Sequence, residues 1–349
     1  MAAVRVLLTG ASGFVGSYTV PALLERGHDV RVLVRNVDKT RDVLSRRTVD
    51  WSTVDVVAGD MVDAAAVERA VDGCDATVHA AAAIGITGSG NGSVLDVNTT
   101  GARNVIGAAR AAGHDPIVHV SSVAIFVPPH GPVIDAESQL ANPRTEYGRS
   151  KVETELELRV LQDGGAPITI VYPGGVIGPD QPTLDATVEG IVGARTMGWP
   201  RTSGGVCLVD VRDVATALAA AVEPGRGPRR LVLGGPFFTW AEFGALCDDI
   251  TGVRARRLPL PEPVLFAAAT LLDQIRRVRS LGYPLTRDAA EMMTAMVPTD
   301  DQPTLDELGV TLRPTRESLE DTFRWLVVAG HLPAANAGRL ALAEHGDLE

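Results

Sequence analysis

Short apolar runs alternate with segments of helical periodicity through the first half of the chain. Apolar runs that end in glycine, aspartate or serine are typical of buried strands. They predict strands at Val4–Leu8, Val30–Val34, Val54–Val57, Ala76–Ala80, Pro116–Ser121 and Ile168–Tyr172. Helical spacing predicts helices at Phe14–Glu25, Ala64–Val71, Asn98–Ala112 and Tyr147–Leu161. This alternation indicates right-handed crossovers and a doubly wound parallel sheet of the α/β class.

The pattern changes after about residue 175, where prolines become frequent and apolar segments become shorter. We divide the chain into a first domain, residues 1–175 with about 206–235, and a smaller, mostly helical lobe. The lobe comprises about 176–205 and 236–330, and the strand Leu231–Leu233 is expected to return to the first domain. The Ala-rich tail, 331–349, is expected to be poorly ordered or a loosely docked helix.

Composition narrows the class of protein. The 349 residues are 45% apolar, 21% charged and 4% aromatic, with 36 glycines, which suits helices packed closely on a parallel sheet. A net charge of −11 argues against a broad nucleic-acid surface. The three cysteines have neither metal-ligand nor disulfide spacing, so no metal site is expected. With no signal segment and no long apolar span, we expect a cytoplasmic protein.

The segment 263–279 is apolar first and basic last, ending in Arg276, Arg277 and Arg279. Such a helix usually packs its apolar side into the protein, and the arginines favour its negative C-terminal end. The alternative is a helix that lies on a membrane surface.

A glycine-rich turn, TGASGFVG at Thr9–Gly16, joins the first strand to the first helix. Gly10 allows a tight turn, Gly13 lets backbone amides approach a pyrophosphate, and Gly16 lets the helix pack on the sheet. The helix N-terminus adds free N–H groups and a partial positive charge. This context predicts a dinucleotide site that includes Ser12, Phe14 and Val15.

The residues at the end of the second strand distinguish an NADP-binding site from an NAD-binding site. An NAD site usually has an acid there, whereas this chain has Val34 followed by Arg35, with Lys39 and Arg41 beyond. An arginine can bind the 2′-phosphate of NADP, so NADP is favoured and NAD stays possible. The alternative is that Arg35 is a solvated loop charge that only stacks on adenine. Further contacts are predicted at Asp60, Met61, Ala80, Ala81 and Ala82.

Tyr147 and Lys151 lie four residues apart on a predicted helix, so both can face one cleft. A phenol has a pKa of about 10, and a neighbouring ammonium favours its ionised form. Lys151 can also bind the nicotinamide ribose, while a serine at the end of the preceding strand holds the substrate oxygen. Ser121 and Ser122 compete for that role. The set predicts proton transfer from Tyr147 coupled to hydride transfer.

These motifs resemble the extended branch of the short-chain dehydrogenase/reductase superfamily, also called the NAD-dependent epimerase/dehydratase family, over about residues 4–235. Besides the glycine turn, the resemblance rests on DVNTTGARNV (96–105), HVSSVAIF (119–126), YGRSK (147–151), YPGGVIGP (172–179) and LVDVRDVA (208–215). It implies a Rossmann domain in which Ser122, Tyr147 and Lys151 are catalytic. It also implies that Pro173, Gly174 and Val176 border the nicotinamide.

Within the superfamily, Arg35 after its strand resembles the NADPH-preferring dihydroflavonol and cinnamoyl-CoA reductases, and the 3β-hydroxysteroid dehydrogenases are similar in catalytic residues. The dehydratases carry an Asp-Glu pair where this chain has Val123–Phe126, and many epimerases have a tyrosine at Phe126. Tyr172 stands where an arginine is common, which argues against a phosphorylated substrate.

We therefore expect an NADP-dependent oxidoreductase that interconverts a carbonyl and an alcohol on a small, largely apolar substrate. The predicted substrate loops, Ile84–Leu95 and Thr183–Pro200, offer few fixed charges. The alternatives are a nucleotide-sugar epimerase with tightly bound NAD and a non-catalytic NADP-sensing module. A homodimer through the helices Asn98–Ala112 and Tyr147–Leu161 is possible.

Overall fold

The computed structural model describes residues 3–83, 93–259, 261–276 and 285–341. Its strands, in chain order, are β1 (Arg5–Thr9), β2 (Asp29–Val34), β3 (Val54–Ala58), β4 (Ala76–His79), β5 (Ile117–Val120), β6 (Ile168–Pro173), β7 (Gly175–Ile177), β8 (Trp199–Arg201), β9 (Gly205–Asp210), β10 (Arg229–Leu233), β11 (Phe237–Thr239) and β12 (Arg257–Pro259).

The α-helices of the same residues are α1 (Phe14–Glu25), α2 (Val37–Ser45), α3 (Ala64–Val71), α4 (Val94–Ala111), α5 (Glu146–Asp163), α6 (Ala186–Met197), α7 (Val211–Ala220), α8 (Trp240–Thr251), α9 (Glu262–Arg276), α10 (Arg287–Ala295), α11 (Gln302–Leu308), α12 (Thr315–Val328) and α13 (Ala334–Ala337). Each predicted helix of the first half is present within a few residues of its expected ends.

The main sheet, in the described residues, has seven parallel strands in the order β10-β6-β5-β4-β1-β2-β3. The strand order reverses beside β1, and ligands of open α/β sheets bind at such a switch point. Arg229 to Leu233 pair in register with β6, which confirms that the strand around Leu231 returns to the first sheet. The predicted doubly wound α/β fold is confirmed.

Alternation along β1 shows how the sheet is covered on both faces. Val6 and Leu8 are buried with Val20 and Leu23 of α1 and with residues of α7. The intervening Leu7 is buried on the opposite face, in a cluster with residues of α3 and α4. Since successive strand residues point to opposite faces, an apolar run with no polar alternation requires helices on both sides.

The remaining elements form a mostly helical region around a separate core. A three-stranded sheet, β11-β9-β7, and the pair β12-β8 accompany α6, α8 and α12. Trp199, Phe243 and Phe323 are buried at its centre. Val310, which the sequence division places in the lobe, is instead buried in the core beside β1.

The start of the predicted tail is more firmly packed than expected. Leu332, Ala337 and Leu340 are buried in the core of the helical region. Arg195 donates to the backbone oxygen of Asn336, whose side chain donates back to the Arg195 carbonyl. The expectation of poor order or loose docking is therefore wrong for residues 332–341, because their small apolar side chains complete this core. Residues 342–349 lie outside the described part.

Helix α9 packs one side onto its neighbour. Leu265 and Ala269 are buried against Ala290 of α10, while Val264 and Leu271 remain exposed. Arg277 and Arg279, on which the membrane-surface alternative depends, lie outside the described residues. Across the helices of the described chain, none combines the length and apolar character that a bilayer span requires.

Two histidines are buried side by side in the middle of the sheet. His79 and His119 occupy paired positions on β4 and β5, and their rings stack with centroids 5.4 Å apart. Thr9 is hydrogen-bonded to Nδ1 of His79 at 2.7 Å. Burial, aided by the Lys151 charge, lowers the pKa of His79 to about 3 and that of His119 well below 6.5. Both rings therefore stay neutral in the folded protein.

We expect folding stability to decrease as the pH falls below 6.5. In that range the two histidines become protonated in the unfolded chain but stay neutral in the folded protein. Each of the two rings contributes up to about 1.4 kcal/mol per pH unit. Urea unfolding between roughly pH 6.5 and 5 should show a shallower pH slope for His119→Leu than for the natural protein. An unchanged slope in that variant would contradict the assignment.

Candidate active site

The glycine turn brings backbone against backbone at the carboxyl end of β1. The N–H of Gly13 donates to the oxygen of Gly10 at 2.8 Å, and Gly10 has a φ of +85°. A Cβ on Gly10 would lie 2.8 Å from the backbone of Ala80, and one on Gly16 would lie 2.2 Å from the Gly10 oxygen. Only glycine therefore fits at these two positions, for the predicted reasons.

The N-terminus of α1 is open for an anion. Its N-cap is Gly13, and no side chain caps the helix, whereas Asn36, Asp63 and Ser93 cap α2, α3 and α4 through side-chain oxygens. Gly13 is exposed, and Ser12, Phe14 and Val15 around it are half-buried. Uncapped N–H groups beside a Cβ-free turn fit the pyrophosphate of a dinucleotide.

The basic residues predicted to select NADP lie where β2 ends and α2 begins. The Arg35 side chain is 74% exposed, and Lys39 is also exposed, one turn into α2. Arg35 lies 3.8 Å from the carboxylate of Asp60, which follows β3. Met61 packs its side chain on Gly101 of α4, and its carbonyl accepts a hydrogen bond from the Asn104 side chain at 3.0 Å.

The small residues after β4 face the glycine turn. The Ala80 N–H donates to the Thr9 oxygen at 3.3 Å, and the Ala81 N–H lies 3.4 Å from the Thr9 hydroxyl. Ala80, Ala81 and Ala82 are half-buried, which leaves space above them. The next residue is fixed by Asn98, whose side chain both accepts from and donates to the Ala83 backbone.

Tyr147 and Lys151 lie in the first turns of α5, which Thr145 caps by accepting the Gly148 N–H. Lys151 is buried, and its Nζ donates to the Val120 oxygen at 2.8 Å. The same Nζ lies 5.8 Å from the centre of the Tyr147 ring. Because Val120 is the last residue of β5, this bond places the lysine at the end of the strand that the serine pair follows.

The two serines differ in environment. Ser121 is buried, and its hydroxyl has no partner among the described residues. Ser122 is half-buried, begins the 3-10 helix Val123–Phe126, and its hydroxyl accepts the Ala124 N–H at 3.2 Å. Its partial exposure suits contact with a substrate, so the assignment of Ser122 as the catalytic serine stays a prediction with a compatible geometry.

The predicted nicotinamide border follows β6. Pro173 is buried at the end of that strand, and the Gly174 N–H donates to the Leu233 oxygen at 3.1 Å. A Cβ on Gly174 would lie 2.1 Å from the Gly234 oxygen, so only glycine fits at this position. Val176 is half-buried in β7 and packs on the core beside β1.

The pKa values of Tyr147 and Lys151 differ from those expected from the sequence. Burial raises the pKa of Tyr147 to about 12, and the nearby carboxylate of Asp185 acts in the same direction. Burial also lowers the pKa of Lys151 to about 8, while the charge of Glu155 opposes this. Desolvation is therefore the largest influence on the phenol in the protein alone, and the activation of Tyr147 by Lys151 stays a prediction.

Asp185 is a site residue that the sequence analysis missed. It caps α6 by accepting the Val188 N–H at 2.9 Å, and burial raises the pKa of its carboxyl to about 6. Its influence on Tyr147 places a fixed acidic group beside the phenol, where few charges were expected. An aspartate that precedes an apolar helical segment indicates an N-cap, and only the tertiary fold brings it to the tyrosine. Of the other predicted loop, residues 84–92 lie outside the described chain.

The model of the NAD-dependent epimerase/dehydratase family matches residues 6–234, which span the glycine turn, the serine pair and the Tyr147–Lys151 helix. The chain belongs to this family. The family binds NAD or NADP, and its members act on alcohol and carbonyl groups.

Several known proteins can be aligned with almost the whole of this chain. A putative dihydroflavonol 4-reductase from Synechocystis sp. is 30% identical, over 93% of this chain and 95% of its own. Sterol demethylase protein B from Methylococcus capsulatus is 29% identical, over 91% of this chain and 97% of its own. The fold is shared with a UDP-glucose 4-epimerase from Stenotrophomonas maltophila solved with NAD, at 20% identity and a TM-score of 0.72, over 94% of this chain and 99% of that one.

Two glycines of the turn should separate folding from cofactor binding in this family member. A Cβ at Gly13 would meet only the Gly10 oxygen, at 3.2 Å, whereas one at Gly16 would meet the same oxygen at 2.2 Å. We expect Gly16→Ala to lower stability by about 1–3 kcal/mol. Gly13→Ala should fold normally but weaken NADPH binding by about tenfold or more, since its methyl group enters the cradle.

Thermal melting and fluorescence titration with NADPH measure these two effects. Equal loss of stability in both variants would contradict the separate roles of the two glycines.

Proposed function

We propose that this protein is an NADP-dependent reductase of a ketone or aldehyde, with Ser122, Tyr147 and Lys151 as its catalytic residues. The observation that carries the proposal is the bond from Lys151 to Val120, which brings the lysine to the carboxyl end of β5, with the Tyr147 ring 5.8 Å from its Nζ and the serine pair next in the chain. Below the pKa of about 12 that burial gives it, Tyr147 is protonated, as a proton donor must be.

The bound nicotinamide supplies or accepts a hydride and, when oxidised, carries a positive charge. The Ser122 hydroxyl orients the substrate oxygen, and Tyr147 donates its proton to that oxygen as the alcohol forms. Lys151, charged below its pKa of about 8, stabilises the phenolate that remains. In the opposite direction the phenolate accepts the alcohol proton.

Two positions that serve other reactions of the family are unsuited to them here. The stretch Val123–Phe126 has no carboxylate to remove a proton and expel water. Phe126 is fully buried and packs edge-on against Tyr172 at 5.1 Å, so it does not face a substrate. These features support reduction over dehydration or epimerisation. A sensing role is less well supported, because the serine, tyrosine and lysine are all present.

The substrate that we propose is small and largely apolar. Asp185 would repel a phosphate near the phenol, which disfavours a sugar diphosphate. Tyr172, at the position where the family often has an arginine, is buried with its hydroxyl bonded to Glu155, so it offers no anion contact. The names of the two similar proteins, a putative dihydroflavonol 4-reductase and a sterol demethylase protein, refer to polycyclic compounds without a phosphate group.

NADP is preferred over NAD in this proposal because of the charges at the end of β2. Arg35 lies just before α2 and Lys39 lies in its first turn, and both are exposed and available to a 2′-phosphate. The ion pair of Arg35 with Asp60 is long, at 3.8 Å, and exposed, so it competes only weakly with a phosphate.

We also propose a homodimer through α4 and α5. Leu156 and Val160 lie on α5 with 53% and 69% of their surface exposed, which is unusual for a helix whose other side packs on the sheet. A second copy that contributes the same face would cover them.

The Tyr147→Phe variant tests the catalytic role. It should lower kcat for carbonyl reduction by about a hundredfold or more while leaving NADPH binding nearly unchanged, because only the transferred proton is lost. The measurement is NADPH oxidation over a panel of aromatic and polycyclic ketones and aldehydes, with cofactor affinity titrated in parallel. Retained turnover in the variant would refute the proposed role.

The Arg35→Ser variant tests the cofactor preference. It should lower kcat/KM for NADPH by about tenfold or more, since a charge-assisted contact is lost, and leave kcat/KM for NADH unchanged. Arg41→Ser is the matched control, because Arg41 is a nearby exposed arginine, in α2, whose guanidinium lies over the Trp51 ring at 5.3 Å. Equal effects of Arg35→Ser on both cofactors would reject the phosphate contact.

A further inference from the structure

A buried carboxylate, that of Glu155, lies one helical turn beyond Lys151 on α5. Tyr147, Lys151 and Glu155 recur every four residues along α5, so they share one face of the helix. Glu155 is 1% exposed, and its Oε1 accepts from the Tyr172 hydroxyl at 2.6 Å and from Arg159 Nε at 2.8 Å.

The second oxygen of this carboxylate is unusual. Glu155 Oε2 is buried and has no hydrogen-bond partner among the described residues. A buried carboxylate with an unsatisfied oxygen costs free energy, and a glutamine would accept the same two hydrogen bonds without a charge. A glutamine would lose only the charge and its ion pair with the partly exposed Arg159, so the buried charge is the property of Glu155 that needs an explanation.

We propose that Glu155 is a positioning residue, whose negative charge keeps the Lys151 ammonium protonated for the proposed carbonyl reduction. Glu155 lies one helical turn behind Lys151, and Tyr172 and Arg159 fix its carboxylate from β6 and from the next turn of α5. The inference rests on the proposed function for its purpose, but the position of Glu155 on the same helix face as Lys151 is independent of the substrate.

The surroundings of Lys151 show why it needs a carboxylate. His79 and His119, on the adjacent strands, are held neutral, and the phenol of Tyr147 is also neutral. Burial disfavours the ammonium, and Glu155 is the charge that opposes this effect. The positive charge of Arg159 partly offsets the effect of Glu155 on Lys151. Because the Arg159 side chain is 23% exposed, water screens its charge more than that of the buried Glu155.

The loss of this charge has a defined consequence. A neutral amine cannot stabilise a phenolate, so turnover should fall as the pH rises through the pKa of Lys151. Without Glu155 that fall would begin at a lower pH. A merely structural role would change stability or total activity but would not move this limb of the pH profile.

The chain offers a direct measurement, because it has only two lysines, Lys39 and Lys151. Protein labelled with 13C at the lysine side chains gives one resonance for each, and the exposed Lys39 serves as the internal reference. Titration of the cofactor-free protein then reports the pKa of Lys151 without any substrate. In Glu155→Gln we expect this pKa to fall by about one pH unit.

Two variants on the same helix complete the test. Glu153→Gln removes the same charge from an exposed position and should leave the Lys151 resonance unchanged. Glu155→Asp keeps the charge and should restore most of the Lys151 pKa. A pKa in Glu155→Gln that equals the natural value, or an equal shift in Glu153→Gln, would overturn the proposal.

Separate controls cover the folding of the variant and the proposed function. If thermal melting shows that Glu155→Gln does not fold, Arg159→Gln is the substitute, and it should raise the pKa of Lys151 by freeing the carboxylate; no change there would overturn the proposal. Where a substrate is reduced, the alkaline limb of kcat in Glu155→Gln should move to lower pH with the resonance. If no carbonyl is reduced by the natural protein, the proposed function fails while the titration still decides the role of Glu155.

Discussion

One hydrogen bond, from the Lys151 ammonium to the Val120 oxygen, fixes the geometry on which the site depends. A buried ammonium is costly unless its donors are used, so the bond holds α5 at one position against the end of β5. That position sets the Tyr147 ring near the lysine, at the end of the strand that the two serines follow. The order of the sheet, with β5 between β4 and β6, thereby positions the residues of the proposed catalytic set.

The crevice above the sheet depends on a second constraint, the close approach of backbones. Gly10 faces Ala80, Gly16 faces Gly10, and Gly174 faces Gly234, in each case at distances that exclude a Cβ. These contacts draw the ends of neighbouring strands and the start of α1 together without side chains between them. The space that remains is lined by N–H groups and small residues, which suits an extended, negatively charged dinucleotide.

The sequence predicts the sheet and the tyrosine–lysine pair well because both depend on local spacing. Apolar runs mark strands buried on both faces, and a four-residue interval marks one helix face. Other features depend on contacts between distant segments. The strand Trp199–Arg201 is three residues long and is defined only by its pairing with Arg257–Pro259. Likewise, the acidic neighbour of Tyr147 comes from α6, which no local pattern connects to the catalytic helix.

The electrostatics of the site favour one direction of the proposed reaction. With a pKa raised to about 12, Tyr147 keeps its proton at neutral pH and is ready to act as an acid. Alcohol oxidation needs the phenolate, and burial and Asp185 both oppose it, leaving that form to depend on Lys151 and on the positive charge of an oxidised nicotinamide. At neutral pH the protonated phenol therefore suits proton donation to the substrate oxygen, which is the step that the proposed reduction requires.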